Sequence, residues 1–196
     1  GVFTRAQARR IGFSDDQIDH RLRTGRWIAL TSEGLIVAGA PISFEARLLA
    51  ATLSAPGAVA SHEAAAELWG MPDVPRGQVV VTIPRGGNHR IPIARVCEST
   101  DLRPRDVRRR QGIDVTSRER TMCDLGRALS TGRLRHVYND QIHRGFVTLP
   151  DMYGVFYRYA RRGRRGIGRV RDVLEEYGPG FAVPESELEQ RTIDLL

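Results

Sequence analysis

Catalysis or metal binding would first show in the spacing of histidines and carboxylates, and in this chain each such pattern stops one residue short. His62-Glu63 has the start of a zinc-protease helix, where a second histidine four residues on completes the metal pair and the glutamate serves as general base. That second position is Ala66, so the expectation is a capped, packed helix that also carries Glu67. His136, Asp140 and His143 stand at i, i+4 and i+7 and would share one helix face. Nothing in the sequence supplies a fourth ligand, and no metal is expected there. His89, beside Gly86-Gly87-Asn88, reads as a turn residue. Cys97 and Cys123 fit neither a zinc ribbon nor a disulfide framework, and read as small, reduced core residues. All 30 residues counted as Lys+Arg are Arg. Without lysine the chain has no Walker phosphate loop, no Schiff-base nucleophile and no lysine beside a restriction-type carboxylate pair. No nucleophile elbow or dinucleotide fingerprint appears either, so neither a catalytic residue nor a cofactor is expected.

What remains is the chemistry of binding. A formal net charge of +7 makes phosphate backbones or an acidic partner the first candidates. The sharpest constellation lies on a helix starting after Ser14, where Ile18 and Leu22 face inward and Gln17, His20, Arg23 and Thr24 point away from the core. Arginine and histidine on such a face read base edges, with Arg23 suited to bidentate contact with guanine. Arg21, Arg26, Thr31 and Ser32 are better placed for phosphates. Asp15 and Asp16 argue against this face unless they cap the helix or turn away from DNA. A second basic tract comprises Arg158, Arg161, Arg162, Arg164, Arg165, Arg169 and Arg171, interrupted by Gly163, Gly166 and Gly168. It reads as an Arg-rich loop able to meet nucleic acid or an acidic protein, or simply to be solvated. The arginines between 103 and 110 read as a solvated connection between strands.

The elements that must position these groups follow from caps and periodicity. Residues 4–10 form a short helix behind Thr4, and Ser14 caps a second one to about residue 24, closed by Gly25. Two short strands at 27–30 and 35–38 flank Thr31-Ser32-Glu33-Gly34 as a hairpin. Helix, turn, helix and hairpin is the order of a winged helix-turn-helix, with the second helix in the major groove and the wing beside the backbone. That fold needs a preceding helix, so upstream residues are expected. From residue 41 the chain reads as an α/β domain to about residue 183. It has helices at 44–51 and 64–69, strands at 79–83, 91–97 and 112–115, and a helix from a Thr116/Glu119 capping box through Leu129. Further helices run near 133–143, 149–160 and 167–177. Residues 184–196 open another amphipathic helix. The fold class is therefore α+β. No apolar run is long enough to span a membrane and no secretory signal is evident, which points to a cytoplasmic protein.

Several segments carry a resemblance. Gly1-Val2-Phe3-Thr4-Arg5-Ala6-Gln7-Ala8, residues 21–27 and Gly34-Leu35-Ile36-Val37-Ala38 resemble the winged-helix start of AbiEi-like antitoxins of type IV toxin-antitoxin systems, especially actinobacterial ones. Residues 60–70, Val81-Thr82-Ile83-Pro84-Arg85 and residues 115–125 are similar to that family's second domain. The resemblance implies a non-enzymatic antitoxin that binds double-stranded operator DNA, represses its own operon and is paired with a nucleotidyltransferase toxin. A two-fold operator would require two such modules, from a homodimer or from two monomers. Ser186-Glu187-Leu188-Glu189 is also similar to the start of a very-short-patch-repair-like endonuclease domain. The rival expectation is therefore the DNA-targeting portion of a nuclease whose catalytic domain lies beyond Leu196. A module that binds only an acidic protein is the third.

Overall fold

The structure, a computed structural model, describes residues 1–86, 89–160 and 164–178. The chain is mixed α+β, with eight α-helices and two small sheets among the described residues. It divides into two compact units. Unit 1 comprises Gly1–Leu68 and Pro75–Ser117; unit 2 comprises Trp69–Val74 and the described residues from Arg118 onward. The amphipathic helix expected over 184–196 lies outside the described residues.

Unit 1 opens with a strand that the caps and periodicity do not predict, β1 (Val2–Thr4), followed by α1 (Arg5–Arg10) and α2 (Asp15–Arg23). Both helices start from reciprocal capping boxes. Thr4 pairs with Gln7, and Ser14 with Gln17, so each box satisfies two orphan N–H groups within four residues of sequence. Strands β2 (Trp27–Ala29) and β3 (Gly34–Val37) form the hairpin, and β3 also pairs antiparallel with β1, giving the order β1-β3-β2. Phe3 and Leu35 are opposite one another on the face toward the helices. There they join Ala8, Ile18, Trp27, Phe13 and Leu22 in a small core. The Trp27 ring receives Phe3 and Phe13 edge-on, with centroids 4.8 and 5.1 Å away.

Alternation along β3 turns Gly34 and Ile36 to the other face, where α3 (Phe44–Leu53) packs on β1 and β3. The approach is close. A Cβ on Gly34 would lie 2.7 Å from the Ala50 Cβ and 2.9 Å from its Cα, so only glycine lets the hairpin meet the helix.

The second sheet of unit 1 has the order β6-β5-β4-β8-β7, formed by β4 (Val59–Ala60), β5 (Val80–Pro84), β6 (Arg95–Ser99), β7 (Val107–Arg110) and β8 (Ile113–Thr116). Val80, Val81, Thr82 and Ile83 are all buried, as a continuous apolar run in an interior strand requires. β5 and β6 are parallel, while β4 pairs antiparallel with β5 and parallel with β8. The expected strand at 91–97 begins only at Arg95, because residues 91–94, including Pro92, form the turn that brings the chain back for parallel pairing. The expected solvated connection contains β7, an edge strand paired antiparallel with β8. α4 spans His62–Trp69.

Unit 2 contains α5 (Arg118–Leu125), α6 (Thr131–His143), α7 (Leu149–Tyr159) and α8 (Ile167–Glu175). The helix expected to begin behind Thr116 and run through Leu129 is shorter: Thr116 is the last residue of β8, and α5 starts at Arg118 and ends at Leu125. Met122, Leu125 and Leu129 are nevertheless all buried, Leu129 from the turn beyond the helix. Six of the eight α5 residues are buried, including Arg120 and Asp124. Gly126 and the left-handed Gly166 (φ 83°) meet backbone to backbone, and a Cβ on Gly166 would lie 2.3 Å from the Arg127 nitrogen. None of the described helices is long and apolar enough to cross a membrane.

Candidate nucleic-acid interface

The outer surface of α2 is built by burial of its opposite side. Ile18 is fully buried and Leu22 packs against the same core, which leaves Gln17, His20, Arg23 and Thr24 exposed. By helical spacing Asp16, His20 and Arg23 share the outermost line. The acidic residues that flank this face are partly neutralised by α1: Arg9 binds Asp15 at 2.7 Å and Arg5 binds Asp19 at 2.7 Å. Asp15 thus faces an arginine of its own fold, and Asp16 is left on the line with His20 and Arg23.

Not every side chain on that face is available for a ligand. Gln17 is held by its capping box, its Oε1 accepting the Ser14 N–H at 3.0 Å. The Thr24 hydroxyl donates back to the His20 carbonyl at 2.8 Å, a local bond that closes the helix end. His20, Arg23 and Arg26 are exposed with no ion pair among the described residues. These three remain as the outward basic side chains, with Asp16 beside His20 and Arg23.

Two of the expected phosphate contacts are placed otherwise. The Arg21 guanidinium lies 4.5 Å from the Phe13 ring centroid and 5.5 Å from that of Trp27, so it shields the aromatic core as a half-buried cation–π lid. Thr31 is only 9% exposed. Its Oγ1 accepts the Gly34 N–H at 2.7 Å, lies 2.7 Å from Ser54 Oγ and reaches the Ala50 carbonyl at 3.4 Å. Thr31 is therefore a staple between the hairpin turn and α3, not a group directed at DNA. Ser32 remains exposed at the tip.

The second basic tract divides in the same way. Arg158 is exposed on α7, and Arg161 and Arg162 lie outside the described residues. Arg164 is withdrawn from the surface: its Nη2 donates to Asp124 Oδ1 at 2.9 Å, and its guanidinium lies 4.8 Å from the Tyr159 ring. Arg120, 2% exposed, binds the same carboxylate through Nε and lies 4.1 Å from the same ring. Arg165 and Arg169 are exposed, and Arg127, which no sequence motif singles out, lines the same depression as both. Arg127 and Arg165 stand 38 positions apart, so no local signal joins them.

The remaining chemical candidates are structural. His62 is buried, with Nδ1 3.0 Å from Ser61 Oγ, which in turn receives the Thr82 hydroxyl at 2.8 Å. Glu63 pairs with Arg95, and Glu67 accepts the Gly77 N–H at 2.6 Å. His136 is bound to Asp73, and that hydrogen bond holds the Asp73 carboxyl below its ordinary pKa. No group of ligand side chains that could hold a metal ion occurs among the described residues. Burial pushes the Cys123 thiol up to about 12, so it stays protonated and unreactive while the fold is intact.

No protein-family model matches the chain, and no curated protein is significantly similar to it in sequence.

Proposed function

We propose that residues 1–40 act as a winged helix-turn-helix that binds double-stranded DNA, with α2 as its recognition helix and Ser32 at the tip of its wing. The observation that carries the reading is the combination of topology and exposure. A strand, two capped helices and a hairpin fold so that β3 lies between β1 and β2, while α2 buries Ile18 and presents His20 and Arg23 outward. Arg26 follows at the start of the hairpin as a phosphate contact. The net charge of +7 favours association with a polyanion.

On this reading the protein is a cytoplasmic, non-enzymatic antitoxin that represses its own operon and is paired with a nucleotidyltransferase toxin. The support for that part is the resemblance of residues 1–8, 21–27, 60–70 and 115–125 to AbiEi-like antitoxins. Occupying a promoter site is sufficient to block transcription, so no catalytic group is required.

The test is fluorescence anisotropy of the chain on its own upstream promoter duplex and on a scrambled duplex, at low and at physiological salt. A preference for the promoter that survives the higher salt supports an operator-binding repressor. Equal affinities that both vanish with salt would leave only a basic protein and refute the reading.

A further inference from the structure

Unit 2 contains a depression of about 500 Å³ lined by Arg127, Arg165, Gly166, Gly168 and Arg169. Three of these five residues are arginines and none is acidic. Other guanidiniums of the unit face a carboxylate, Arg164 and Arg120 meeting Asp124 and Arg135 meeting Glu176. Arg127 and Arg165 have no ion pair among the described residues. Arg169 is steadied by one bond, Nη1 to the Gly126 carbonyl at 3.1 Å, which uses one of the five donors a guanidinium carries. Gly168 leaves the floor open, since a Cβ there would meet nothing within 4 Å. Three cationic forks around one concavity repel one another unless an anion joins them, and a tetrahedral oxyanion accepts several such forks at once.

We propose that this depression is a phosphate-binding site, formed by Arg127, Arg165 and Arg169. The phosphate is either a diester of a nucleic-acid backbone or a free phosphate or nucleotide, and both present the same oxyanion to the arginines. The site does not depend on the reading of α2, because its residues belong to unit 2 and its first test uses inorganic phosphate.

That test follows the Gly166 and Gly168 amide resonances of the full chain while phosphate replaces chloride at constant ionic strength. A saturable shift is expected, lost in Arg127→Gln/Arg165→Gln and kept in Arg108→Gln/Arg109→Gln, which removes the same charge from exposed positions of unit 1. Arg169 is left intact because of its bond to Gly126. The source is read from duplex binding across a salt series. A nucleic-acid backbone predicts that the log–log salt slope of the first variant falls by about 2 relative to the second, near 0.9 for each phosphate that is no longer neutralised. A free phosphate predicts unchanged slopes alongside the same amide shifts. Absence of a saturable shift in the parent chain, or its persistence in Arg127→Gln/Arg165→Gln, would overturn the proposal.

Discussion

Replacing Asp124 by leucine should destabilise unit 2 more than any other single polar-to-apolar change in that unit. Its side chain is 4% exposed and lies between Arg120, 2% exposed, and Arg164, 14% exposed. Arg120 Nε is 3.1 and 3.0 Å from the two carboxylate oxygens, and Arg164 Nη2 is 2.9 Å from one of them. Removing the carboxylate takes one counter-charge from two guanidiniums that share the Tyr159 ring. Breaking a buried ion pair from one side costs about 3–5 kcal/mol, because a buried charge is left uncompensated. The same reasoning predicts the sign of a double variant. Arg120→Met with Asp124→Leu removes the most buried charge along with its partner, and Arg164 has enough exposure to turn toward water. The double variant should therefore be more stable than Asp124→Leu alone, although it carries one more substitution. The assay is native-state amide hydrogen exchange at α5 and α6, since a chain of two compact units need not unfold in one step. A loss under about 1 kcal/mol for Asp124→Leu, or a double variant less stable than that single one, would refute the argument that this carboxylate compensates the buried Arg120 and the partly buried Arg164.

Other outcomes follow from the same contacts. Arg23→Ala should narrow the gap between promoter and scrambled duplex by about 1–3 kcal/mol in anisotropy titrations, whereas equal losses on both would make Arg23 a phosphate contact. Thr31→Val should lower the stability of unit 1 by about 1–3 kcal/mol, because the buried Gly34 N–H loses its acceptor, and should leave the salt slope of DNA binding unchanged. Cys123, pushed up to about 12 by burial, should react with a thiol reagent at pH 8 only at the rate at which unit 2 opens; fast labelling of the native chain would count against its burial. Asp73 and Glu176, within unit 2, are lowered from 3.8 and 4.5 by hydrogen bonds from His136 and Arg135. A depressed carboxylate stabilises the fold above its unfolded value, and that contribution is lost as pH falls through its folded value. Asp73→Asn with Glu176→Gln should therefore flatten the acid limb of unit 2 stability below about pH 4.5, and an unchanged limb would show that neither pair contributes.

Most of the helices are legible in the sequence because their signals are local. The Thr4/Gln7 and Ser14/Gln17 boxes satisfy their own N–H groups within one turn, so α1 and α2 start where the caps stand. Period and breakers likewise locate α3, α4, α6, α7 and α8 to within a few residues. The strands are harder. β1 and β4 have three and two residues and exist as strands because distant segments pair with them, whereas β7, Val-Arg-Arg-Arg, carries no apolar alternation and is an edge strand only through its antiparallel pairing with the adjacent β8. β1 is a strand because Val2–Thr4 meets the antiparallel β3, whose paired residues stand thirty or more positions later.

The candidate interface divides along the same boundary. Residue type and helical spacing alone put His20 and Arg23 on the outer side of α2, since burying Ile18 leaves them no other direction. They could not show that Thr31 is claimed by α3, whose Ala50 lies 19 residues on, or that adjacent arginines have opposite roles. Arg164 is paired with Asp124, 40 residues earlier, while Arg165 opens into a depression with Arg127. The sequence determines which groups carry charge and which way a short helix must face, because both depend on nearest neighbours. Whether a given charge is compensated, stacked or left facing solvent was decided only by tertiary structure, because its partner arrives from a distant part of the chain.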